Sequence, residues 1–341
     1  MIRILGIETS CDETSAAVVE DGRTILSNVI ASQIEIHARY GGVFPEVASR
    51  AHVEAVVPIA ERALADAHVS LGDVDAIAVT RGPGLAGSLL VGVNFAKGLS
   101  LGRNLPLLGI NHIESHLYAV WLGEDAREPV FPALALIVSG GHSEIILMSG
   151  HGQYQRLGGT IDDAAGEAFD KVGRLLGLPY PGGPAIERAA THGNAKAFRF
   201  SRARTDNPYD LSFSGVKTAV LRQVQELGID PETSPAEKRR TLPVPDLAAS
   251  FQAGVVAALV EKTVAAAKEY EVKEIFVAGG VSANRVLREQ MVEHAPIPVR
   301  VPPLILCTDN AAMVAACGFY RYGAGQRDGF DMDVLPNLKL V

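Results

Sequence analysis

The stretches MIRILGIETSCDETSAAVV, residues 1–19, and ALALIVSGGHSEIILM, residues 133–148, decide the fold of this 341-residue chain. In the first, the apolar runs IRILGI and AAVV flank the polar turn ETSCDETS, and in the second, ALALIVS and EIILM flank GGH. Short apolar runs bounded by turn residues are typical of buried strands joined as a hairpin. Because this opening occurs twice and helices follow each copy, the sequence predicts a duplicated α/β fold.

The rest of the chain supports two domains with a cleft for a ligand. Apolar spacing predicts helices over 47–67, about 162–176, 216–227 and 246–270, and buried strands over 74–79 and 273–278. Each of these strands runs into a glycine turn and a further helix, RGPGLAGSLLVG in the first half and GGVSANRVL in the second. We expect one domain over 1–132 and a second over 133–341, with the last helix, about 308–322, returning to the first domain.

The composition indicates an acidic, soluble protein. Thirty-one lysines and arginines against 39 aspartates and glutamates give a net charge of −8, so the whole chain repels a phosphate backbone. Any nucleic acid must be attracted by a local basic patch or by a partner subunit. Cys11, Cys307 and Cys317 form no CxxC pair, which argues against a disulfide framework. The N-terminus lacks an apolar run long enough for a signal or a membrane span, so we expect a cytoplasmic protein without membrane association.

The segment NHIESHLYA contains two histidines four residues apart. On a helix, His112 and His116 can face one ion, and neutral imidazoles suit zinc or iron. Zinc peptidases of this pattern place a glutamate directly after the first histidine, whereas Glu114 lies two positions on and points away, about 200° around the helix. Surface or core histidines are the alternative. The best candidate for a third ligand is Asp309, at a predicted helix N-cap where a carboxylate also has a structural role.

Several glycine-containing turns are candidates for binding an anion. SGGH, residues 139–142, frees backbone N–H groups, although most such turns are ordinary hairpins. AGGVSANRVL lies between a strand and a helix, where α/β folds bind nucleotides, and Asn284 in it either contacts the ligand or caps the helix. Gly166, inside a predicted helix, suggests that something packs against its backbone, and Asp170 on that helix could hold ribose hydroxyls. GGP at 182–184 ends a predicted loop, residues 178–184. It precedes Glu187 and offers a further bare backbone next to a helix start, with a plain loop tip as the alternative.

Charged clusters complete the candidates. Asp12 or Glu13, in the first turn, could act as a base toward a nucleophilic amine, or the turn could be a solvated hairpin. Two basic clusters are candidate phosphate contacts, though such runs are usually plain surface: Arg199, Arg202 and Arg204, and Lys238, Arg239 and Arg240.

Nine separated segments together resemble one family, that of the bacterial tRNA N6-adenosine threonylcarbamoyltransferases. They are GIETSCDETSAA, RGPGLAGSLLVG, NHIESHLYA, VSGGHSE, DDAAGEAFDKV, YPGGP, FSGVKTAV, AGGVSANRVLR and CTDNAAM, in this order. The resemblance covers nearly the whole chain. It implies the actin-like (ASKHA) fold of sugar kinases and heat-shock ATPases, with two duplicated α/β domains. It also implies transfer of a threonylcarbamoyl group from threonylcarbamoyl-AMP to the adenosine 3′ of the anticodon, in tRNAs that read codons beginning with A.

The resemblance also assigns the site residues. It places metal ligands at His112, His116 and Asp309, with one Fe²⁺ or Zn²⁺ per subunit, and activity-related carboxylates at Asp12 and Glu13. The implied adenylate-binding residues, whose site ATP or AMP could also occupy, are Ile137, Val138, Ser139, Gly140, Gly141, Asp170, Gly183, Glu187 and Asn284.

The partners implied by the resemblance are tRNA, a smaller paralogous subunit, a small ATPase subunit and the synthase that supplies threonylcarbamoyl-AMP. Two alternatives fit less well. A small-molecule kinase of the same superfamily would have no use for the histidine pair. A chaperone-like ATPase would need a peptide-binding module, for which 341 residues leave no room.

Overall fold

The protein, described by a computed structural model over residues 1–123, 127–200 and 205–341, forms two compact units. Unit 1 consists of Met1–Pro129 and Pro302–Val341, and unit 2 of Val130–Val301. The expected boundary between residues 132 and 133 thus lies three residues earlier in this division. All of segment 302–341, and not its last helix alone, is grouped with unit 1.

The secondary structure follows a regular order in each unit. The elements of residues 1–129 are β1 (Arg3–Glu8), β2 (Glu13–Glu20), β3 (Thr24–Ser32), α1 (Ile34–Ala38), α2 (Pro45–Asp66), β4 (Ala76–Gly82), α3 (Ala86–Arg103), β5 (Leu107–Asn111) and α4 (His112–Tyr118). Those of unit 2 are β6 (Ala133–Val138), β7 (Ser143–Gly150), β8 (Gln153–Gly159), α5 (Ala165–Leu175), α6 (Gly182–Ala190), α7 (Ser214–Glu226), α8 (Pro235–Thr241), α9 (Val244–Glu269), β9 (Glu274–Ala278), α10 (Arg285–His294) and β10 (Val299–Arg300). Helix α11 (Ala311–Gly323) follows in unit 1, and 3₁₀ turns lie at Leu71–Asp73, Ala119–Trp121, Gly280–Ala283 and Leu304–Leu306.

The two sheets have the same topology, which confirms the predicted duplication. The strand order is β3-β2-β1-β4-β5 in unit 1 and β8-β7-β6-β9-β10 in unit 2. In both, the opening hairpin pairs antiparallel and the third strand adds antiparallel to it, while the next two strands join in parallel on the other side. The carboxyl ends of the parallel strands and of the first strand therefore meet at one edge of each sheet, where such folds place their ligands.

Alternation along β1 assigns its side chains to two different helical layers. Leu5 and Ile7 contribute to the clusters formed with α2 and α3, whereas Ile4 and Gly6 face α11. Since successive residues of a strand point to opposite faces, Glu8 is directed to the same face as Gly6. A buried carboxylate is thereby carried to the layer that contains α11.

Helix α11 lies directly on β1, at Gly6. A Cβ at this position would lie 2.2 Å from the Ala311 carbonyl oxygen and 2.8 Å from the Ala315 backbone nitrogen. Real Cβ atoms do not approach backbone so closely, so the contact requires glycine. The sequence of β1 thus determines how near the start of α11, and Asp309 just before it, comes to the sheet.

Unit 2 has one continuous apolar core built around α9. Phe251 of this helix packs edge-to-face against Phe169 of α5, with 5.2 Å between ring centroids. Helix α9 is long and apolar enough to span a membrane by composition alone, but 67% of its most apolar window is buried inside the structure. It is therefore explained as the core helix of this unit.

Two local predictions in unit 2 need correction. Helix α5 begins at Ala165, not near residue 162, because the Asp162 carboxylate accepts the Phe213 backbone N–H at 2.8 Å and the Asp163 carbonyl accepts the Thr160 hydroxyl at 2.5 Å. These bonds hold the preceding residues in a turn. The segment 178–184, predicted as a loop, also contains the start of α6 at Gly182.

Gly6→Ala should destabilise unit 1 by about 1–3 kcal/mol, because the added methyl group forces α11 away from β1. Trp121, the single tryptophan of the chain, is buried in unit 1 and packs against Tyr118 at 4.7 Å between ring centroids. Its fluorescence during urea denaturation therefore reports on this unit.

Gly102→Ala is the matched control for this measurement. Gly102 lies on α3, and a Cβ added to it would meet no heavy atom within 4 Å. We therefore expect unchanged stability or a gain of up to about 1 kcal/mol. Equal stability of the two variants would contradict the role given to the Gly6 contact.

Candidate metal centre and nucleotide-binding turns

The predicted histidine pair lies on the short, fully buried helix α4. The Asn111 side chain caps this helix by accepting the backbone N–H groups of Ile113 at 2.8 Å and Glu114 at 3.2 Å. His112 and His116 share one face, with ring centroids 4.8 Å apart. Their exposed fractions are 7% and 0%, which excludes the alternative of surface histidines.

Asp309 reaches both imidazoles from the segment before α11. Its Oδ1 lies 3.5 Å from His112 Nε2 and 3.3 Å from His116 Nε2. The helix N-cap is Asn310, whose side chain accepts the Met313 N–H at 3.1 Å, and not Asp309 as the sequence suggested. The capping role is thus taken by the neighbouring residue, and all three side chains belong to unit 1.

These three residues fit a metal ion. One donor atom from each lies within 4.8 Å of the others. Neither ring nitrogen of the buried His116 has a hydrogen-bond partner within the described part of the chain, despite the nearby Asp309 oxygen. A buried polar atom without a partner is costly, and coordination would satisfy it. Two imidazoles and one carboxylate are a ligand set that zinc and iron accept.

Glu8, which the sequence analysis missed as an individual site residue, holds His112 from behind. Its Oε2 lies 3.0 Å from His112 Nδ1 and accepts the Thr80 hydroxyl at 2.7 Å, while Oε1 accepts the Ser10 backbone N–H at 2.6 Å. The available signal was a carboxylate at the end of a buried strand. With Nδ1 bonded to Glu8, the Nε2 atom of His112 is directed toward Asp309.

The buried charges shift the protonation of this cluster. Burial opposes the charged form of His112, but Asp309 and Glu8 outweigh it and raise its pKa to about 9. Burial and the charge of Asp309 would raise the pKa of Glu8. The positive charge of His112 and its hydrogen bond to Glu8 outweigh them, so the pKa of Glu8 is lowered. Without a metal, His112 is therefore protonated at neutral pH and stabilises the two carboxylates.

Glu114 points away from the cluster, as the helix period predicts. Its Oε2 accepts the Arg321 Nε–H at 3.0 Å and pairs with a second nitrogen of the same guanidinium. The glutamate thus joins α4 to α11 and is not placed as the base of a zinc peptidase.

The hairpin carboxylates lie at the turn between β1 and β2. Glu13 Oε1 accepts the Ser32 hydroxyl at 3.2 Å. Burial, together with the negative charges of Asp309 and Asp12, raises the pKa of Glu13 to about 10. The turn is only partly exposed, since Ser10 and Thr14 on either side of it are buried, and the charge of Asp309 acts on Glu13.

In unit 2, the SGGH turn is braced by the start of α5. Ser139 N–H donates to the His142 carbonyl at 2.8 Å, and Gly166 N–H donates to the Ser139 carbonyl at 3.1 Å. A Cβ on Gly166 would lie 2.6 Å from that carbonyl oxygen. Something does pack against Gly166, then, but it is the turn itself, and Gly166 lies in the first turn of α5 rather than in a helix interior.

The polar side chains of the predicted adenylate site bond to neighbouring backbone or side chains. Asp170 accepts the Gly182 N–H at 2.7 Å, and Glu187 accepts the Arg285 N–H at 2.8 Å. Asn284 caps α10 by accepting the Leu287 N–H at 3.0 Å and donates to Gln252 at 2.8 Å. Ile137 and Val138 are fully buried in β6. Asn284 thus has the capping role considered for it, and these contacts together tie α5, α6, α9 and α10 to one another.

The glycines are the more informative residues here. A Cβ built on Gly140, Gly141, Gly183 or Gly280 meets no heavy atom within 4 Å, and none of these residues needs a positive φ. Neither packing nor conformation within the described chain requires glycine at these positions. Their backbones instead face open space at the ends of β6 and β9 and the start of α6, as expected of turns that approach a ligand.

The basic clusters, considered as phosphate contacts, have structural roles where the structure describes their bonds. Lys238 and Arg239 bond to the carbonyl oxygens of Pro231 and Gly177, so two of these cations fasten α8 to neighbouring turns. Arg202 and Arg204 lie outside the described residues.

Comparison with known proteins identifies the family. The model for the tRNA N6-adenosine threonylcarbamoyltransferase family (TsaD) matches residues 24–316. The enzyme of that name from Dehalococcoides mccartyi (strain CBDB1) is 55% identical over 340 residues, covering 100% of both chains. The one from Bacillus subtilis (strain 168) is 50% identical over 342 residues, covering 99% of this chain and 96% of the relative.

Solved structures show the same fold in a distant protein. T. kodakarensis HypF superposes with a TM-score of 0.63 at 15% identity, over 94% of this chain and 48% of that one. At this identity the likeness concerns the fold alone, and it agrees with duplicated actin-like domains. On the strength of the family model and of relatives matched end to end, this chain belongs to the tRNA N6-adenosine threonylcarbamoyltransferases, enzymes that form threonylcarbamoyladenosine in tRNA.

Proposed function

We propose that this enzyme uses His112, His116 and Asp309 to hold one Fe²⁺ or Zn²⁺ while it transfers the threonylcarbamoyl group. The donor is threonylcarbamoyl-AMP, and the acceptor is the N6 amine of the adenosine 3′ of the anticodon in tRNAs reading codons that begin with A. The observation that carries the proposal is the buried His116, whose ring nitrogens lack hydrogen bonds to the described residues although an aspartate oxygen lies nearby. When bound, the ion would supply Lewis-acid polarisation of the carbonyl group under attack.

Glu8 acts as a positioning residue in this scheme. A histidine ligand commonly donates its second ring N–H to a carboxylate, which fixes the tautomer and the ring orientation. Glu8 is completely buried and already holds His112 in this way, while Thr80 and Ser10 hold the glutamate. The imidazole is therefore oriented toward the metal position before any ligand arrives.

A hairpin carboxylate, Asp12 or Glu13, takes the proton that the N6 amine releases. The new bond joins N6 to the carbamoyl carbon, and the bond between that carbon and the adenylate phosphate oxygen breaks. AMP departs with the bonding electrons, so the transfer consumes no further ATP. Burial and the charges of Asp309 and Asp12 raise the pKa of Glu13. Glu13 can therefore act as the base only when a nearby positive charge offsets these negative charges.

The glycine turns of unit 2 hold the adenylate. Backbone N–H groups of Gly140 and Gly141 approach its phosphate, and the open backbones of Gly183 and Gly280 leave room for the nucleoside. Asp170, Glu187 and Asn284 border this position, and Ile137 and Val138 support the turn from β6. ATP or AMP would occupy the same position.

The assembly proposed around this chain follows from the family resemblance and its charge. A smaller paralogous subunit, a small ATPase subunit and the threonylcarbamoyl-AMP synthase act with it in the cytoplasm. A net charge of −8 fits an enzyme that shares the binding of tRNA with partners.

The purified chain should contain about one iron or zinc per molecule, and His112→Ala should remove both the metal and the transfer of threonylcarbamoyl. Elemental analysis measures the metal. Incubation with the partner proteins, tRNA, threonine, bicarbonate and ATP, followed by nucleoside analysis, measures transfer. His294→Ala, on α10 of unit 2, is the control and should change neither. Full transfer by metal-free protein would refute the metal's role.

Glu8→Gln should weaken metal binding by about 10–100-fold, since the amide has a single accepting oxygen for three donors. Titration against a chromogenic chelator gives the affinity without any activity measurement. Glu114→Gln, an equally buried glutamate that faces Arg321, should lower stability but leave metal affinity within about twofold. Equal metal affinity of Glu8→Gln and Glu114→Gln would refute the positioning role of Glu8.

Gly140→Ala should fold normally, because its Cβ meets open space, yet bind AMP about tenfold more weakly or worse because the methyl group obstructs the phosphate. Isothermal calorimetry with AMP and a melting curve test both parts. Gly254→Ala, also in open space but within α9, is the control and should bind AMP as the unmodified chain does. Unaltered AMP binding by Gly140→Ala would place the adenylate elsewhere.

A further inference from the structure

The C-terminal segment, residues 324–341, encloses a pocket against the edge of the unit 1 sheet. Asp328 forms a bridge with Leu107 of β5 and accepts the Gly109 N–H at 2.8 Å. Farther along, the Lys339 carbonyl accepts an Asn111 side-chain N–H at 3.1 Å. The pocket has a volume of about 530 Å³. It is distinct from the metal centre and from the glycine turns, and nothing in the proposed reaction uses it.

The lining of this pocket is cationic in an acidic protein. Arg81, Arg321, Arg327 and Lys339 border it, with Asp328 as the one carboxylate among the lining residues. Arg321 is paired with a glutamate of α4, so its charge is compensated. Arg327 bonds only to carbonyl oxygens and stacks on a tyrosine ring, and the Lys339 ammonium has no partner among the described residues. Two uncompensated positive charges therefore face the pocket.

Arg81 adds a donor that lacks an acceptor. Its Nε is buried and has no hydrogen bond within the described chain, and its contact with Asp328 is long, at 3.4 Å. An unsatisfied buried guanidinium N–H is unfavourable, and an oxyanion in the pocket would satisfy it. Guanidinium groups match the geometry of phosphate oxygens, so the chemistry selects a phosphate.

We propose that this pocket binds a backbone phosphate of the tRNA substrate. Asn111, which lines the pocket, directly precedes the metal-ligand candidate His112, and Arg81 directly follows Thr80, the hydroxyl that holds Glu8. A phosphate held here would lie beside the strand ends that carry the proposed reaction centre. The assignment rests on the proposed function, because it takes tRNA as the substrate and names the surface that holds it.

The double variant Arg327→Gln/Lys339→Gln tests the assignment. Anisotropy of a labelled, unmodified tRNA at several KCl concentrations should show about tenfold weaker binding. The slope of log affinity against log salt should fall by roughly 0.7, the value for one lost phosphate contact. Arg327→Lys/Lys339→Arg, which keeps both charges, should bind within about twofold of the unmodified chain. The metal content of all variants should be equal.

A second pair serves as the control for net charge. Arg62→Gln/Arg103→Gln removes two exposed cations of α2 and α3 that do not line the pocket, and should leave tRNA binding within about twofold. Equal weakening by both neutral pairs, or no weakening by the first, would overturn the pocket assignment. The assignment would also be overturned if Arg327→Gln/Lys339→Gln lost affinity for inorganic phosphate but kept its affinity for tRNA. Transfer by the unmodified chain is measured separately, so failure of the proposed function is distinguished from failure of the pocket.

Discussion

The close approach of α11 to β1 is the constraint on which the rest of unit 1 depends. It is possible because Gly6 has no side chain where the Ala311 carbonyl oxygen lies. The approach brings Asp309, just before α11, to the histidines of α4. In the sequence, all of unit 2 lies between them. The same strand carries Glu8 two residues after Gly6 and on the same face, so one strand positions both carboxylates around His112.

The electrostatics of the centre follow from enclosing several charges in a small buried volume. In the absence of a cation, the charge of protonated His112 offsets the negative charges of Glu8 and Asp309, and the raised pKa of Glu13 favours the neutral form of that carboxyl. This is an arrangement in which a divalent ion would replace protons, since ligands must be deprotonated to coordinate. The same carboxylates that raise the pKa of His112 would thus favour the cation.

Unit 2 is organised differently, with side chains committed to packing and main chain left exposed. Asp170, Glu187 and Asn284 bond to the segments beside them and set the positions of the turns. The open glycines then present backbone to whatever approaches. A site of this kind recognises an anion through N–H groups and needs few charged side chains, which agrees with the acidic composition of the chain. Two uncompensated cations, those of Arg327 and Lys339, border the C-terminal pocket of unit 1.

Sequence alone was sufficient for the local and periodic features. The duplicated hairpins, the long helices and the separation of His112 from Glu114 around a helix all follow from patterns within a few residues, and nine local segments identified the family. Contacts between segments that are far apart in the sequence could not be predicted in this way. Asn310 rather than Asp309 caps α11, Glu8 holds His112 although no local pattern singled it out, and Gly166 packs on the SGGH turn. Only the tertiary structure decided these, because bonds such as that between Arg321 and Glu114, 207 residues apart, leave no local trace in the sequence.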